Sequence, residues 1–334
     1  MRPYFCTLFD SNYLSRGLLL YRSLRRVMPD AHLFVVAFDD TCLHVLNELR
    51  DDGLTVISLD EFEDEELLRV KADRSRAEYC WTCTPSVILY VMERYSLPNC
   101  TYLDADIYFF SEPGLLWSEM GNGESVLITP HRYSSDFDRT ETSGKYNVQF
   151  IPCRNDPAGL EILRWWREAC LKVCRLDPDN GYCGDQKYLD EWPRRFLGKV
   201  RELEYLGGGV APWNVQQYEF YMNQNQVWGR ELTTGKAFKV VFFHFHGLIV
   251  WDSYNVFGRE ILRTKATSNS TYPIPASARK FIYRPYLAEF YSVEKFLRMT
   301  FGVQSAAHLG CRSISLKSSI AGLRRRLSLM GRFS

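Results

Sequence analysis

An α/β fold, with a mixed sheet flanked by helices, is what this 334-residue sequence predicts. Short apolar strands alternate with helical stretches in the N-terminal third, and one of those strands runs straight into a pair of aspartates. Beyond about residue 266, helical signals replace strands. Tyr4 to Phe9 reads as a buried strand, followed by a helix from Tyr13 to Arg26 with Leu18, Tyr21 and Leu24 on one side. Leu33 to Phe38 is a second strand, His44 to Arg50 a helix, and Leu54 to Leu59 a third strand. Pro85 suits the first turn of a helix continuing through Val87, Leu89, Tyr90, Val91 and Met92. Thr101 to Leu103 is the fourth strand, and the rhythm implies parallel strands covered on both faces. Farther on, Glu124 to Thr129, Tyr146 to Pro152 and Lys239 to Phe243 read as strands. Residues 156–176 form a helix carrying Leu160, Leu163, Trp166 and Cys170.

Composition agrees with a globular chain: 46% hydrophobic and 24% charged residues exclude disorder and fibrous repeats. No apolar run approaches the roughly 20 residues of a membrane span. Asp10 breaks the first apolar stretch and no small-residue cleavage site follows, so a cytoplasmic protein is expected, with its ten cysteines reduced. Cys80 and Cys83 form a CxxC without a matching second pair, and Cys170 and Cys174 stand four apart in a helical run, so packing is the expected role. The charge of +1 is uneven. From Lys295 to Ser334 there are eight basic residues and no acidic ones, which leaves −7 for the rest and marks a basic tail with a separate task.

Asp104 and Asp106 carry the chemistry. In open α/β sheets, ligands collect beyond the carboxyl ends of strands, and two aspartates one residue apart there can offer oxygen to one Mg²⁺ or Mn²⁺. At about 4 Å and an effective dielectric near 20, each unit of opposing charge is worth roughly 4 kcal/mol, so a divalent ion outweighs a lysine in holding a diphosphate leaving group. The bare pattern recurs at Asp136–Asp138 and Asp177–Asp179, which read as a loop and a turn. Only Asp104 and Asp106 have a strand before them and the apolar run Ile107 to Phe110 after. A phosphatase of the haloacid-dehalogenase type would place the motif in the first strand and follow it with Thr or Val where this chain has Tyr108.

In several ordered motifs over residues 3 to 250 the chain resembles the GT-A glycosyltransferases, particularly glycosyltransferase family 8 and its bacterial relatives. Asp10-Ser-Asn12-Tyr13 after the first strand resembles the family's base-binding loop, which implies that these residues, with Thr7 before them, hold the nucleotide base. Asp104-Ala105-Asp106 sits at the family's expected position. Tyr146-Asn147-Val148 resembles the segment that touches the donor sugar, although Gln149 replaces the usual glycine. Gly184-Asp185-Gln186 resembles the pair at the reacting sugar, while Asp185 also suits a cap for a helix starting at Gln186. In Phe243-His244-Phe245-His246-Gly247, His244 and Gly247 match a His-x-x-Gly segment whose histidine is the third metal ligand. His246, assigned with Gly247 to the donor, would face the opposite way if the strand continued.

Two departures stand out. Ile249-Val250-Trp251 replaces the Lys-Pro-Trp that usually follows, so another cation or the metal alone must hold the diphosphate. Thr84, Pro85 and Ser86 occupy the place of an arginine, leaving Arg76 either as a phosphate or sugar contact or in an exposed salt-bridging role. Gly207-Gly208-Gly209, before Ala211-Pro212-Trp213-Asn214, suits either a close approach to an acceptor or a plain turn.

The resemblance implies a Rossmann-like GT-A catalytic domain over residues 1–265 and a helical extension over 266–334. It implies Mn²⁺ or Mg²⁺ on Asp104, Asp106 and His244, and a UDP-sugar donor contacting Arg76, Asp104, Ala105 and Asn147. Asp185 and Gln186 would be catalytic, with transfer of a hexose to a glycan hydroxyl and retained configuration. Leu316, Ile320, Leu323, Leu327 and Met330 recur at helical spacing among Lys317 and Arg324 to Arg326. Such a helix suits either an anionic membrane surface, and then a lipid-linked oligosaccharide acceptor, or packing on its own domain. No aromatic-interleaved basic surface points to nucleic acid. The rival readings are a nucleotide-sugar-binding protein that no longer transfers and a nucleotide-sugar hydrolase.

Overall fold

The computed structural model describes residues 4–256, 259–265 and 272–303. The first half forms close to expectation: β1 (Tyr4–Phe9), α1 (Leu14–Val27), β2 (His32–Ala37), α2 (Asp40–Glu48) and β3 (Leu54–Ser58). The three strands pair in parallel, with Phe5 beside Leu33 and Val35 beside Val56. After two short helical segments, Leu59–Phe62 and Glu65–Lys71, the long helix α3 (Arg76–Arg94) starts more than two turns earlier than Pro85 suggests. Ser75 caps it and Glu78 returns to the Ser75 backbone, a reciprocal arrangement that satisfies two donors and outweighs the interior proline.

The remaining sheet and its cover are β4 (Asn99–Leu103), β5 (Ile107–Phe109), β6 (Val126–Pro130), β7 (Phe150–Arg154), α4 (Pro157–Lys172) and β8 (Val200–Glu202). The order across the sheet is β8-β6-β7-β4-β1-β2-β3. Because β7 runs antiparallel to β4 and β6 while β1 to β4 are parallel, the sheet is mixed, as the sequence predicts. The strand expected from Tyr146 to Pro152 is broken. Asn147 Oδ1 accepts the Gln149 N–H at 3.0 Å, an Asx-type turn that ends a two-residue strand at Asn147 before β7 begins. The strand expected from Lys239 to Phe243 is likewise two. Ala237–Lys239 closes a three-stranded antiparallel sheet with Tyr218–Asn223 and Gln226–Glu231, whereas β9 (Phe242–His244) pairs with β5.

Each face of the sheet has its own core. Phe34, Val36, Ile151, Val87 and Trp166 pack under α3 and α4 on one side. On the other, α1 and α2 pack with β5 and β9. A helix near the end of the described chain, α5 (Arg284–Phe301), lays Tyr286, Phe290, Val293 and Leu297 into that same core. Their three- and four-residue spacing makes one apolar stripe, each member worth roughly 1.5–3 kcal/mol of burial. An antiparallel hairpin, Ile249–Val256 with Arg259–Lys265, precedes it. The basic helical stretch expected over 316–330 lies outside the described residues. Among the described residues no helix is long and apolar enough to cross a membrane.

Candidate functional site

Asp10, Asp39 and Asp104 each follow the carboxyl end of a sheet strand, so they line the same edge. Asp10 accepts from the backbone N–H of Asn12 at 2.9 Å and from its side-chain amide at 3.2 Å, fixing the turn that carries Tyr13. Arg76, at the start of α3, reaches across with Nε 2.7 Å from Asp10 and Nη2 2.9 Å from Asp39. Asp39 also accepts from the Ser11 backbone and hydroxyl at 3.0 and 2.8 Å. Two strand ends and the start of α3 are thereby locked together, while Asn12 and Tyr13 remain exposed. Thr7 is fully buried, and its hydroxyl has no hydrogen-bond partner among the described residues.

The second cluster grows out of the tight turn between β4 and β5. Ile107 donates to the Asp104 carbonyl, and Ala105 packs its methyl into the core, so only its backbone faces the site. Pairing of β5 with β9 sets Ile107 beside His244 and brings the imidazole to the carboxylates. His244 Nε2 lies 2.9 Å from Asp106 Oδ1 and 3.7 Å from Asp104 Oδ2. Its Nδ1 is 3.0 Å from Gln149 Oε1, and Nε2 is the nitrogen turned to the carboxylates. An orienting partner behind the ring is the usual support of a metal-ligating histidine. Burial acts against charge on all three groups. It raises Asp104 to about 6 with help from Asp106, whereas His244 outweighs it at Asp106 and holds that carboxyl at about 2. For His244 the two carboxylates overcome burial and raise its basicity. One buried and one half-buried carboxylate beside an oriented imidazole form a group that could hold a divalent cation.

His246 does not face away. β9 ends at His244, and a turn closed by the Leu248 N–H on the Phe245 carbonyl, with Gly247 at a φ of +67°, brings His246 back. Ligand atoms of Asp106, His244 and His246 lie within 4.8 Å of one another.

Asp185 and Gln186 form the third part. Asp185 precedes a 3-10 turn, Gln186–Glu191, but its side chain makes no capping bond, so the capping role expected for it is not taken. Instead it is buried, and its Oδ2 lacks a hydrogen-bond partner among the described residues. Burial, with the nearby Asp104 charge, raises its carboxyl to about 7. Gln186 Oε1 accepts from the Asn147 amide at 2.9 Å, joining the two residues expected at the donor sugar.

Several groups were not legible as site residues. Arg16, on α1, is buried without a carboxylate partner among the described residues. It donates to the Leu248 carbonyl at 2.8 Å and sits under the Tyr13 ring at 4.8 Å. Its signal was a charge within the apolar run Leu14 to Leu20. Trp213 packs its edge against His244 and His246, at 5.3 and 5.5 Å. Where the usual lysine is missing, Ile249 is half-buried. Gly207 to Gly209 face the protein itself: a Cβ at Gly207 would meet the Lys239 carbonyl at 2.0 Å, and one at Gly209 would meet Thr129 at 2.6 Å. Cys83 is buried and Cys80 half-buried, and neither belongs to a metal-capable group among the described residues.

No known protein-family profile matches the chain. It is 28% identical over 293 residues to the uncharacterized protein YfnD of Bacillus subtilis, covering 85% of this chain and 87% of that one. With the uncharacterized protein YfnF of the same organism it shares 29% over 254 residues, 74% of this chain and 82% of the other. Among solved structures, the galactosyltransferase LgtC with donor and acceptor sugar analogs is 12% identical, with 86% of this chain and 95% of that chain covered and a TM-score of 0.47. Mouse xyloside xylosyltransferase 1 is 12% identical over 82% of this chain and 99% of its own, at 0.46. The glycosyltransferase GlyE of Streptococcus pneumoniae is 15% identical over 61% of this chain, which spans 45% of GlyE, at 0.41.

Proposed function

We propose that this protein is a cation-dependent glycosyltransferase of the GT-A type that moves a hexose from a nucleoside diphosphate sugar, UDP-linked, to a glycan hydroxyl. The observation that carries the reading is the meeting of Asp104 and Asp106 with His244 beyond the ends of the strands. Asp104, Asp106 and His244 would hold Mn²⁺ or Mg²⁺, which supplies charge to steady a departing diphosphate. Tyr13 offers a ring face and Asn12 a polar edge to the base, with Thr7 and Asp10 beneath; Arg76 keeps Asp10 in place. The backbone at Ala105 and Gly247 borders the diphosphate. Arg16 adds positive charge from within the fold where the lysine is lacking. Asn147 and Gln186 would orient the sugar, and Asp185 with Gln186 would flank the anomeric carbon and stabilise an oxocarbenium-like state in a transfer that retains configuration. A lipid-linked oligosaccharide is the acceptor we favour, reached through the basic C-terminal segment.

A thermal-shift panel of nucleotide sugars with and without Mn²⁺ tests the reading. At a ligand concentration 100 times Kd, the correct donor should add about 2.7 kcal/mol of stability. That gain should need the cation and vanish in Asp104→Ala. A panel in which no nucleotide sugar stabilises the protein, with or without the cation, would overturn it. Product analysis with a glycan acceptor present then separates transfer from donor hydrolysis or mere binding.

A further inference from the structure

We infer that His246 is a ligand of the same cation, so that the donor set holds two imidazoles and the site prefers late first-row ions such as Co²⁺ and Zn²⁺ to Mg²⁺. The inference rests on the metal site proposed above and concerns which ion that site takes. Its basis is geometric. Ligand atoms of Asp106, His244 and His246 lie within 4.8 Å of one another, and the two rings are 5.5 Å apart. The turn that places His246 is held at both ends. Phe245 donates its N–H to the Asp106 carbonyl at 2.9 Å and stacks on Tyr286 at 3.7 Å, and Arg16 grips the Leu248 carbonyl. Trp213 lies against both imidazoles and restricts their rotation. Gln149 holds His244 from behind at Nδ1, which leaves Nε2 turned to the carboxylates. The His246 ring itself is exposed, so an ion can enter from solvent.

The chemistry follows from the donors. Mg²⁺ favours oxygen ligands and surrenders water reluctantly, whereas imidazole nitrogen suits Co²⁺ and Zn²⁺. One imidazole beside two carboxylates is tolerated by Mg²⁺ or Mn²⁺, and a second moves the balance toward later ions.

Metal-free full-length protein titrated calorimetrically with Mg²⁺, Mn²⁺, Co²⁺ and Zn²⁺, without nucleotide, tests this, with the visible spectrum of bound Co²⁺ as a second readout. Wild type should bind Co²⁺ about tenfold or more tighter than Mg²⁺, and Asp106→Ala should abolish that binding. His246→Ala should weaken Co²⁺ and Zn²⁺ about tenfold or more, alter the Co²⁺ spectrum, and leave Mg²⁺ within about twofold, with the melting temperature of the metal-free protein unchanged. Unchanged Co²⁺ affinity and spectrum in His246→Ala would overturn the inference and leave the two-carboxylate site standing. Failure of wild type to bind any of the four ions would overturn both.

Discussion

Asp185 shows how burial sets chemistry at a single residue. A carboxyl that ordinarily titrates near 4 is lifted to about 7, because it is enclosed and faces the Asp104 charge. The folded chain therefore keeps this proton between about pH 4 and pH 7, while the unfolded chain loses it early. The associated stability is complete below the ordinary value and disappears as pH rises through about 7. Asp185→Asn has no proton to lose. In metal-free protein it should gain stability over wild type between pH 5 and pH 8, by up to about 3 kcal/mol, in paired urea titrations. An equal difference at both pH values would mean the carboxylate is ionised throughout. Wild-type transfer should fall below pH 7 if the carboxylate is the active form, and bound cation should move that midpoint downward.

At the level of elements, the site depends on how strands and helices end. The β4–β5 turn presents two carboxylates, but only the pairing of β5 with β9 supplies the imidazole, and the start of α3 supplies Arg76. Ser75→Ala removes the N-cap and its reciprocal bond to Glu78, which should cost about 1 kcal/mol in chemical denaturation. Because Arg76 is the next residue, donor binding should weaken as well; a variant as stable as wild type would show that α3 is held elsewhere. The strands β1, β2 and β4 were legible because apolar and β-prone residues are concentrated in them and polar residues bound them. The break at Asn147 was not, since a side chain capturing a backbone N–H two residues on leaves the hydrophobic pattern untouched. Pro85 misled because a proline is a strong local sign, whereas the capping box that starts α3 is a weaker pattern in an exposed stretch. Gln149 read as a departure from a glycine, and its contact with a histidine ninety-five residues away is a property of the fold alone.

Across the molecule, the core that supports the Asp106, His244 and His246 cluster is continuous with helix α5. Tyr286 stacks on Phe245, the residue between the two histidines, and Arg16 of α1 lies 5.8 Å from the Phe290 ring. Helix α5 therefore shares its packing with the turn that presents His246. Phe290 is wholly buried there, and Phe290→Ala removes a ring that cannot be replaced without a cavity. The expected loss is about 3–5 kcal/mol. If α5 and the sheet form one cooperative body, urea unfolding followed by far-UV circular dichroism and by tryptophan fluorescence should give coincident curves for wild type, and for the variant too at a lower midpoint. No tryptophan is in α5, so fluorescence follows the rest of the chain while circular dichroism also includes α5. Separation of the curves, with the fluorescence transition left at the wild-type midpoint, would mean that α5 is an independent appendage and that the histidine turn is stable without it.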